Sequence, residues 1–263
     1  MNKRLITLLL SLLTPGLGYI QNDDKKSFYK TIAFIFGIII FAVMQRLFTG
    51  FWSLTFVIVA LISIYVFAAI HATLTVKATS SKIKNPVLLK LFFTMSFLLI
   101  TGLSFANRRT LMGFDIMSMS VPVMQPAILQ GDKFLVDTWS YKRALPKRGD
   151  VIVHSFSGQQ GLYLNRIIAI ENDKIEINDG KVFLNGRILN EPFVLTTNVT
   201  RPQSKNMRSL IISKGNYFMM GDNRDASFGD SRFSGTITID NIVGKTTDVI
   251  SSQDKSRIGR AIK

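Results

Sequence analysis

The chain contains no cysteine. That removes the disulfide, the thiolate nucleophile and the cysteine metal site together, while saying little about compartment, since an exported domain can do without disulfides. Histidine is almost as scarce. His71 and His154 stand far apart, which leaves a metal centre without support. Acidic residues are few, 17 Asp and Glu against 32 Lys and Arg, for a net charge of +15. Such a balance suits anionic lipid headgroups or an acidic partner. The charge is spread along the chain, with no arm-like basic run and no nucleic-acid-binding signature, so nucleic acid is excluded as the expected partner. Phosphate loops, dinucleotide fingerprints and zinc spacings are missing too, and no cofactor is expected.

What the chain has in quantity is apolar surface: 47% hydrophobic residues, 20 Phe and a mean hydropathy of +0.26. Residues 31–48, 51–76 and 87–106 are each long and apolar enough to span a bilayer, since about 20 helical residues cross a core of about 30 Å. An earlier stretch, "LITLLLSLLTPGLGYI" (residues 5–20), is shorter and broken at Pro15-Gly16. No small-x-small cleavage site follows it, which argues against a signal peptide. Lys3, Arg4, Lys25, Lys26 and Lys30 flank it on both sides, and Lys77, Lys82, Lys84 and Lys90 fill the loop before the third span. The positive-inside rule puts both loops in the cytoplasm. Residues 5–20 then enter and leave on one side, as a re-entrant or interfacial element, and three crossings leave residues 108–263 outside. His71 reads as an interfacial histidine without an obvious partner.

From about Phe114 the texture changes to short β-branched and aromatic runs separated by Gly, Asp and Asn. This alternation predicts antiparallel strands and hairpins. "INDGKVFLNG" is the clearest hairpin, with Asp179-Gly180 supplying positive φ. The expected architecture is therefore N-terminal transmembrane helices (residues 1–107) followed by a mainly-β domain (108–263) of antiparallel sheets forming a partly closed barrel. Asp132 and Asp150, each after a glycine, read as turn hydrogen-bonders. His154 reads as a satisfied core histidine. Asp222, Arg224, Asp230 and Arg232 read as a salt-bridged turn. Met117, Met119, Met124, Phe134 and Trp139 are candidates for an exposed apolar face and a peptide groove, with ordinary core packing the alternative for about half of them, Phe134 being the first candidate for the core and Met124 for the pocket floor.

Five ordered blocks in this half resemble the type I signal peptidase family, peptidase family S26, whose members are membrane-anchored serine endopeptidases with a Ser/Lys dyad. They are "MQPAILQGDKFLVD", "RGDVIVHSF", "YLNRIIAIENDKIEI", "KVFLNGRILNEP" and "MMGDNRDASFGDSRFSGTITIDNIVGKT". The resemblance puts the nucleophilic serine at Val123, the general-base lysine at Asn165 and the oxyanion-hole hydroxyl at Val121, and matches Ser227 to a serine that holds the lysine. It also implies a peptide site drawing on Met124, Pro126 and Phe134. Valine offers no lone pair, and an asparagine amide is no base near neutral pH. Loss of such a unit costs on the order of 10⁶ in turnover. The expectation is a bacterial cytoplasmic-membrane, multi-pass protein with an extracytoplasmic β domain, in contact with lipid and with leader peptides or preproteins, that binds without cutting. The alternatives are an active signal peptidase that has moved its serine to Ser118 or Ser120, and a purely structural subunit whose β domain docks a partner.

Overall fold

A computed structural model describes residues 3–22, 24–76, 86–156, 160–195 and 205–263, with side chains from 4 onward and not for 86–90. They divide into two compact units, Met1–Phe48 with Trp52–Gly113, and Thr49–Phe51 with Phe114–Lys263.

The first unit is helical: α1 (Lys3–Leu13), α2 (Leu17–Gln21), α3 (Lys25–Met44), α4 (Phe51–Leu74), α5 (Pro86–Ala106) and a short α6 (Arg108–Leu111). The expected span 31–48 lies on α3, which begins earlier because the Asp24 side chain accepts the Ser27 N–H at 3.0 Å as an N-cap. It stops at Met44, just before Arg46, whose φ of 57° is outside the helical region. Both α3 and α4 are long and apolar enough to cross a membrane. Their large apolar side chains point outward: Phe34, Trp52 and Phe56 are each more than 60% exposed. A helix apolar on every face needs apolar surroundings, and lipid supplies them.

The short expected element, residues 5–20, is a hairpin of two helices. Gly16 turns the chain with φ 80°, and α2 folds back on α1 so closely that a Cβ on Gly18 would lie 2.1 Å from the Ser11 hydroxyl. Leu17, Tyr19 and Ile20 are buried as a result. Backbone broken in this way is tolerated at membrane depth only where it is buried in protein or lines a water-filled cavity. Asn22 ties the hairpin to α4 by donating to the Ala72 carbonyl at 2.7 Å. The expectation that His71 lacks a partner is overturned: its Nδ1 lies 2.9 Å from the Tyr19 hydroxyl.

The second unit is built from β1 (Phe114–Ser118), β2 (Lys133–Asp137), β3 (Val151–His154), β4 (Tyr163–Ala169), β5 (Lys174–Asn178), β6 (Lys181–Leu184), β7 (Arg187–Ile188), β8 (Met207–Ile211), β9 (Asn216–Met220), β10 (Ile237–Thr238) and β11 (Ile242–Ser251), with one turn of helix, α7 (Ser231–Ser234). The strands form a seven-stranded sheet ordered β1-β2-β11-β3-β4-β9-β10 and a four-stranded sheet ordered β7-β6-β5-β8. All pairings are antiparallel. Register shifts along β11, between Thr246 and Val249 and between Val249 and Ser251, bend it and help curl the large sheet into a half-barrel. Gly244 lets β11 approach β2: a Cβ there would sit 2.5 Å from the Asp137 carbonyl oxygen. The β5–β6 hairpin turns on Asp179 and Gly180 with φ 46° and 76°, the conformation that an Asp-Gly turn favours.

One core lies under the loop between β1 and β2, with Met119, Met124, Ile128, Phe134, Val136, Val153 and Leu164 packed together. The expected exposed apolar face is therefore corrected. Met119 and Met124 are 8% and 0% exposed, because the loop folds its apolar residues inward, where burial is worth about 25 cal/mol per Å², while Phe134, at 2%, is the core residue it was expected to be.

Candidate functional site

The loop from Met119 to Asp132 is held in shape by its own backbone. Met119 N–H donates to the Asp132 carbonyl at 3.1 Å, Gly131 N–H to the Met119 carbonyl at 2.7 Å, and Ile128 N–H to the Met124 carbonyl at 2.9 Å. The Asp132 carboxylate accepts the Leu129 N–H at 2.9 Å, as the turn reading of its Gly-Asp pair expects. Asp150 does the same for Lys147 N–H at 2.9 Å. With Met124 and Ile128 anchored in the core, Val121 and Val123 are left facing a cleft of about 370 Å³. Met117–Val121 form one wall, and Leu162–Asn165 at the start of β4 form another. Phe134 and Val153 lie on the lining as well, and Ala226, Phe228 and Gly229 close it. The Val123 carbonyl accepts the Asn223 N–H at 3.0 Å, which joins the first wall to the last.

The cleft brings together Val121, Val123 and Asn165, three of the positions singled out by the sequence. Ser227 is buried behind them. Its hydroxyl accepts an N–H of the Asn165 carboxamide at 3.3 Å. The carboxamide oxygen, which can only accept, lies 2.9 Å from Nε2 of His154, so Nε2 carries the proton. Burial pushes the pKa of His154 down, against the hydrogen bond to Asn165, and the ring is neutral near pH 7. Among the described residues its Nδ1 has no hydrogen-bond partner though it is shielded from solvent. His154 is thus a core histidine satisfied on one nitrogen. The peptide-site candidates are placed differently. Phe134 lines the cleft, whereas Met124 lies wholly in the core and Pro126 is exposed away from the lining. Ser118 and Ser120 sit on the lining, and among the described residues Tyr163 is its only side chain with a titratable group.

A charged frame fixes these walls. Arg166, next to Asn165, forks onto Asp222 with N–O distances of 2.8 and 2.6 Å, gives its remaining nitrogen to the Gly149 carbonyl at 2.8 Å, and stacks 4.3 Å over the Phe193 ring. Burial pushes the Asp222 carboxyl up, and Arg166 pulls it only part of the way back. The expected salt-bridged turn is real but paired otherwise: Asp222 belongs to Arg166, Arg224 to Glu191, and only Asp230 and Arg232 pair with each other. Arg232 also donates to the Arg224 and Ser227 carbonyls at 2.8 and 3.1 Å, which holds the Ser227 loop in place. Gly221 is required at its position. A Cβ there would lie 2.5 Å from the Ser227 Cβ and 2.7 Å from the Val123 carbonyl oxygen. Among the described residues no three His, Asp or Glu side chains gather where a metal ion would bind.

The family described as signal peptidase, peptidase S26, matches residues 89–250. The thylakoidal processing peptidase 1 of Arabidopsis thaliana chloroplasts is 33% identical over 135 residues, 47% of this chain and 38% of that protein. Signal peptidase IB of Staphylococcus aureus is 31% identical over 138 residues, 47% of this chain and 71% of the relative. Thus the chain spans well under half the length of the plant relative it matches. A solved signal peptidase I from Enterococcus faecalis aligns over 39% of this chain and 97% of its own, with 24% identity and a TM-score of 0.35. The family match runs through the last helix, the cleft loop, both cleft walls and the charged frame, over more than half of the sequence, and the chain belongs to the signal peptidase family.

Proposed function

We propose that this chain is a non-cleaving signal peptidase homologue, anchored in the membrane, that holds the extended end of a leader peptide or preprotein in the cleft without hydrolysing it. The observation that carries this is the chemistry of the lining. Val123 and Asn165 stand where the resemblance assigns the nucleophile and the base, and among the described residues no amine, imidazole or carboxylate lines the cleft. Acyl transfer through a hydroxyl needs a neighbouring group to take its proton. His154 is the nearest imidazole, yet its ring is not part of the lining, its Nε2 is bonded to the Asn165 oxygen, and the unprotonated Nδ1 is shielded from solvent. The lining can still accept a peptide, since its walls are apolar and β1 is a sheet edge to which a strand can add.

Lys25, Lys26 and Lys30 in the first turns of α3 and Lys77, Lys82 and Lys84 before α5 set the orientation of this reading, with the β unit on the extracytoplasmic side of a bacterial cytoplasmic membrane. A second reading, a working peptidase, draws on Ser118 and Ser120, which both line the cleft. One experiment separates them. Full-length protein in detergent is incubated with a model preprotein and with a leader peptide carrying a photo-crosslinker. The proposal expects crosslinking to the β1–β2 loop and intact preprotein. Cleavage that disappears in Ser118→Ala or Ser120→Ala establishes the second reading instead, and neither cleavage nor adduct removes both.

A further inference from the structure

The loop that carries Val121 and Val123 has a clamp on its far side, supplied from the end of the chain. Past β11 the sequence "SQDKSRIGRAIK" hooks back on that strand. Gly259 N–H donates to the Val249 carbonyl at 2.8 Å, Val249 N–H to the Arg260 carbonyl at 3.0 Å, and Ile262 N–H to the Thr247 carbonyl at 2.8 Å. Asp254 caps the one-turn 3-10 helix Lys255–Arg257 by accepting the Ser256 N–H at 3.0 Å. The hook thereby drives Arg257 inward until it is only 6% exposed. An arginine cannot discharge, so a buried one must find acceptors. Arg257 finds three, all in the cleft loop. Its Nε and Nη2 reach one oxygen of Asp132 at 3.3 and 3.0 Å, Nη1 reaches the Pro126 carbonyl at 3.3 Å, and Nη2 reaches the Ala127 carbonyl at 2.8 Å.

These contacts span the loop. Asp132 is its closing residue, bonded through its backbone to Met119 and through its side chain to Leu129. Pro126 and Ala127 lie just past Val123, and their carbonyls take no backbone partner within the loop. One planar fork therefore sets the distance between the middle of the loop and its end. None of the hydrogen-bond acceptors of Arg257 lines the cleft, and the hook lies beyond the residues that the family matches, which end at 250.

We infer that Arg257 is a positioning residue: it holds the Val121–Val123 wall at the spacing that accepts an extended peptide, so that peptide affinity depends on the C-terminal hook. This rests on the peptide-holding reading above. The fork is essential to the argument, because lysine could keep the ion pair with Asp132 but could not serve two carbonyls in the same plane.

The test uses full-length protein in detergent, as wild type, Arg257→Lys and Arg257→Met, with two readouts. Hydrogen exchange is followed in the loop amides of Ile128, Leu129 and Gly131, with β3 and β4 amides as the internal standard, and the Kd of a fluorescent leader peptide is measured in parallel. In Arg257→Lys the loop amides are expected to exchange at least tenfold faster while β3 and β4 stay as in wild type, and the peptide to bind at least tenfold more weakly. Arg257→Met is expected to exceed both effects. If it fails to fold, the lysine variant decides alone. Loop exchange and affinity unchanged in Arg257→Lys overturn the inference. So does acceleration shared equally by β3 and β4, which marks a general stabilising role. A wild type that binds no peptide refutes the functional reading, and the exchange data still judge the clamp.

Discussion

Asp222→Asn tests the charged frame most directly. Arg166 and Asp222 are both 1% exposed at the side chain and bond through a fork at 2.8 and 2.6 Å. The asparagine keeps the shape and removes the countercharge, leaving a guanidinium that cannot lose its proton in the interior. Breaking one member of a buried pair costs about 3–5 kcal/mol. For a unit of this size 1 kcal/mol moves the melting temperature by about 2–4 °C, so a fall on the order of 6–20 °C is expected in calorimetry of the detergent-solubilised protein. Arg166→Met should hurt less at low pH. It strands a carboxyl that burial already pushes up, and that group can escape by taking a proton. The sign follows from linkage: a folded-state pKa above the unfolded value means the native state binds more protons, so stability rises as pH falls through that interval. The double variant Arg166→Met/Asp222→Leu removes both charges and leaves mainly the Gly149 carbonyl without its donor, a loss of about 1–3 kcal/mol. Asp222→Asn melting within about 2 °C of wild type, or no worse than the double variant, would refute the reasoning.

Installing the dyad by Val123→Ser/Asn165→Lys should create preprotein cleavage that neither single change creates, since such a unit is worth on the order of 10⁶ and fails when either member is missing; gel analysis of preprotein processing decides it, and processing by the wild type at a comparable rate refutes it. Gly221→Ala places a methyl 2.5 Å from Ser227 Cβ and 2.7 Å from the Val123 carbonyl, so it should cost about 1–3 kcal/mol and weaken leader-peptide binding, both read from melts and fluorescence titration. His154 has its folded pKa pushed below the ordinary value by burial, so the unfolded chain binds the extra proton first. Stability from this group should be level above about pH 6.5 and fall on acidification, by at most about 1.4 kcal/mol per pH unit. His154→Gln, which can still donate to Asn165, should flatten that slope in pH-dependent denaturant melts, and an unchanged slope assigns the effect elsewhere.

Features that depend on neighbours in sequence were legible before any coordinates. The helices follow from unbroken apolar runs, the β5–β6 hairpin from Asp179-Gly180, and the capping roles of Asp132 and Asp150 from the glycine before each. The cleft was legible for a different reason: its walls are blocks whose order and spacing resemble those of a family, so Val123 and Asn165 could be brought together without knowing the sheet. What escaped depends on register. His154 pairs across the ladder with Tyr163, so Asn165, two residues further along β4, lies diagonally on the same face, within reach of its ring. Nothing short of the β3–β4 alignment gives that. Met119 and Met124 escaped because apolar residues in a loop have the same composition whether they cover a core or greet a membrane, and only the fold of the loop decides. Tyr19 and His71 meet across 52 residues through a hairpin whose intimacy rests on Gly18. Arg257 was hardest of all. It sits in a tail that reads as solvated basic sequence, one of 32 Lys and Arg residues, and composition cannot tell which of them will be buried. A buried guanidinium must be met by acceptors placed in advance. Two of its three acceptors, the Pro126 and Ala127 carbonyls, carry no side-chain signature at all, and the third, Asp132, reads as a turn residue with nothing to point it at a guanidinium 125 positions away.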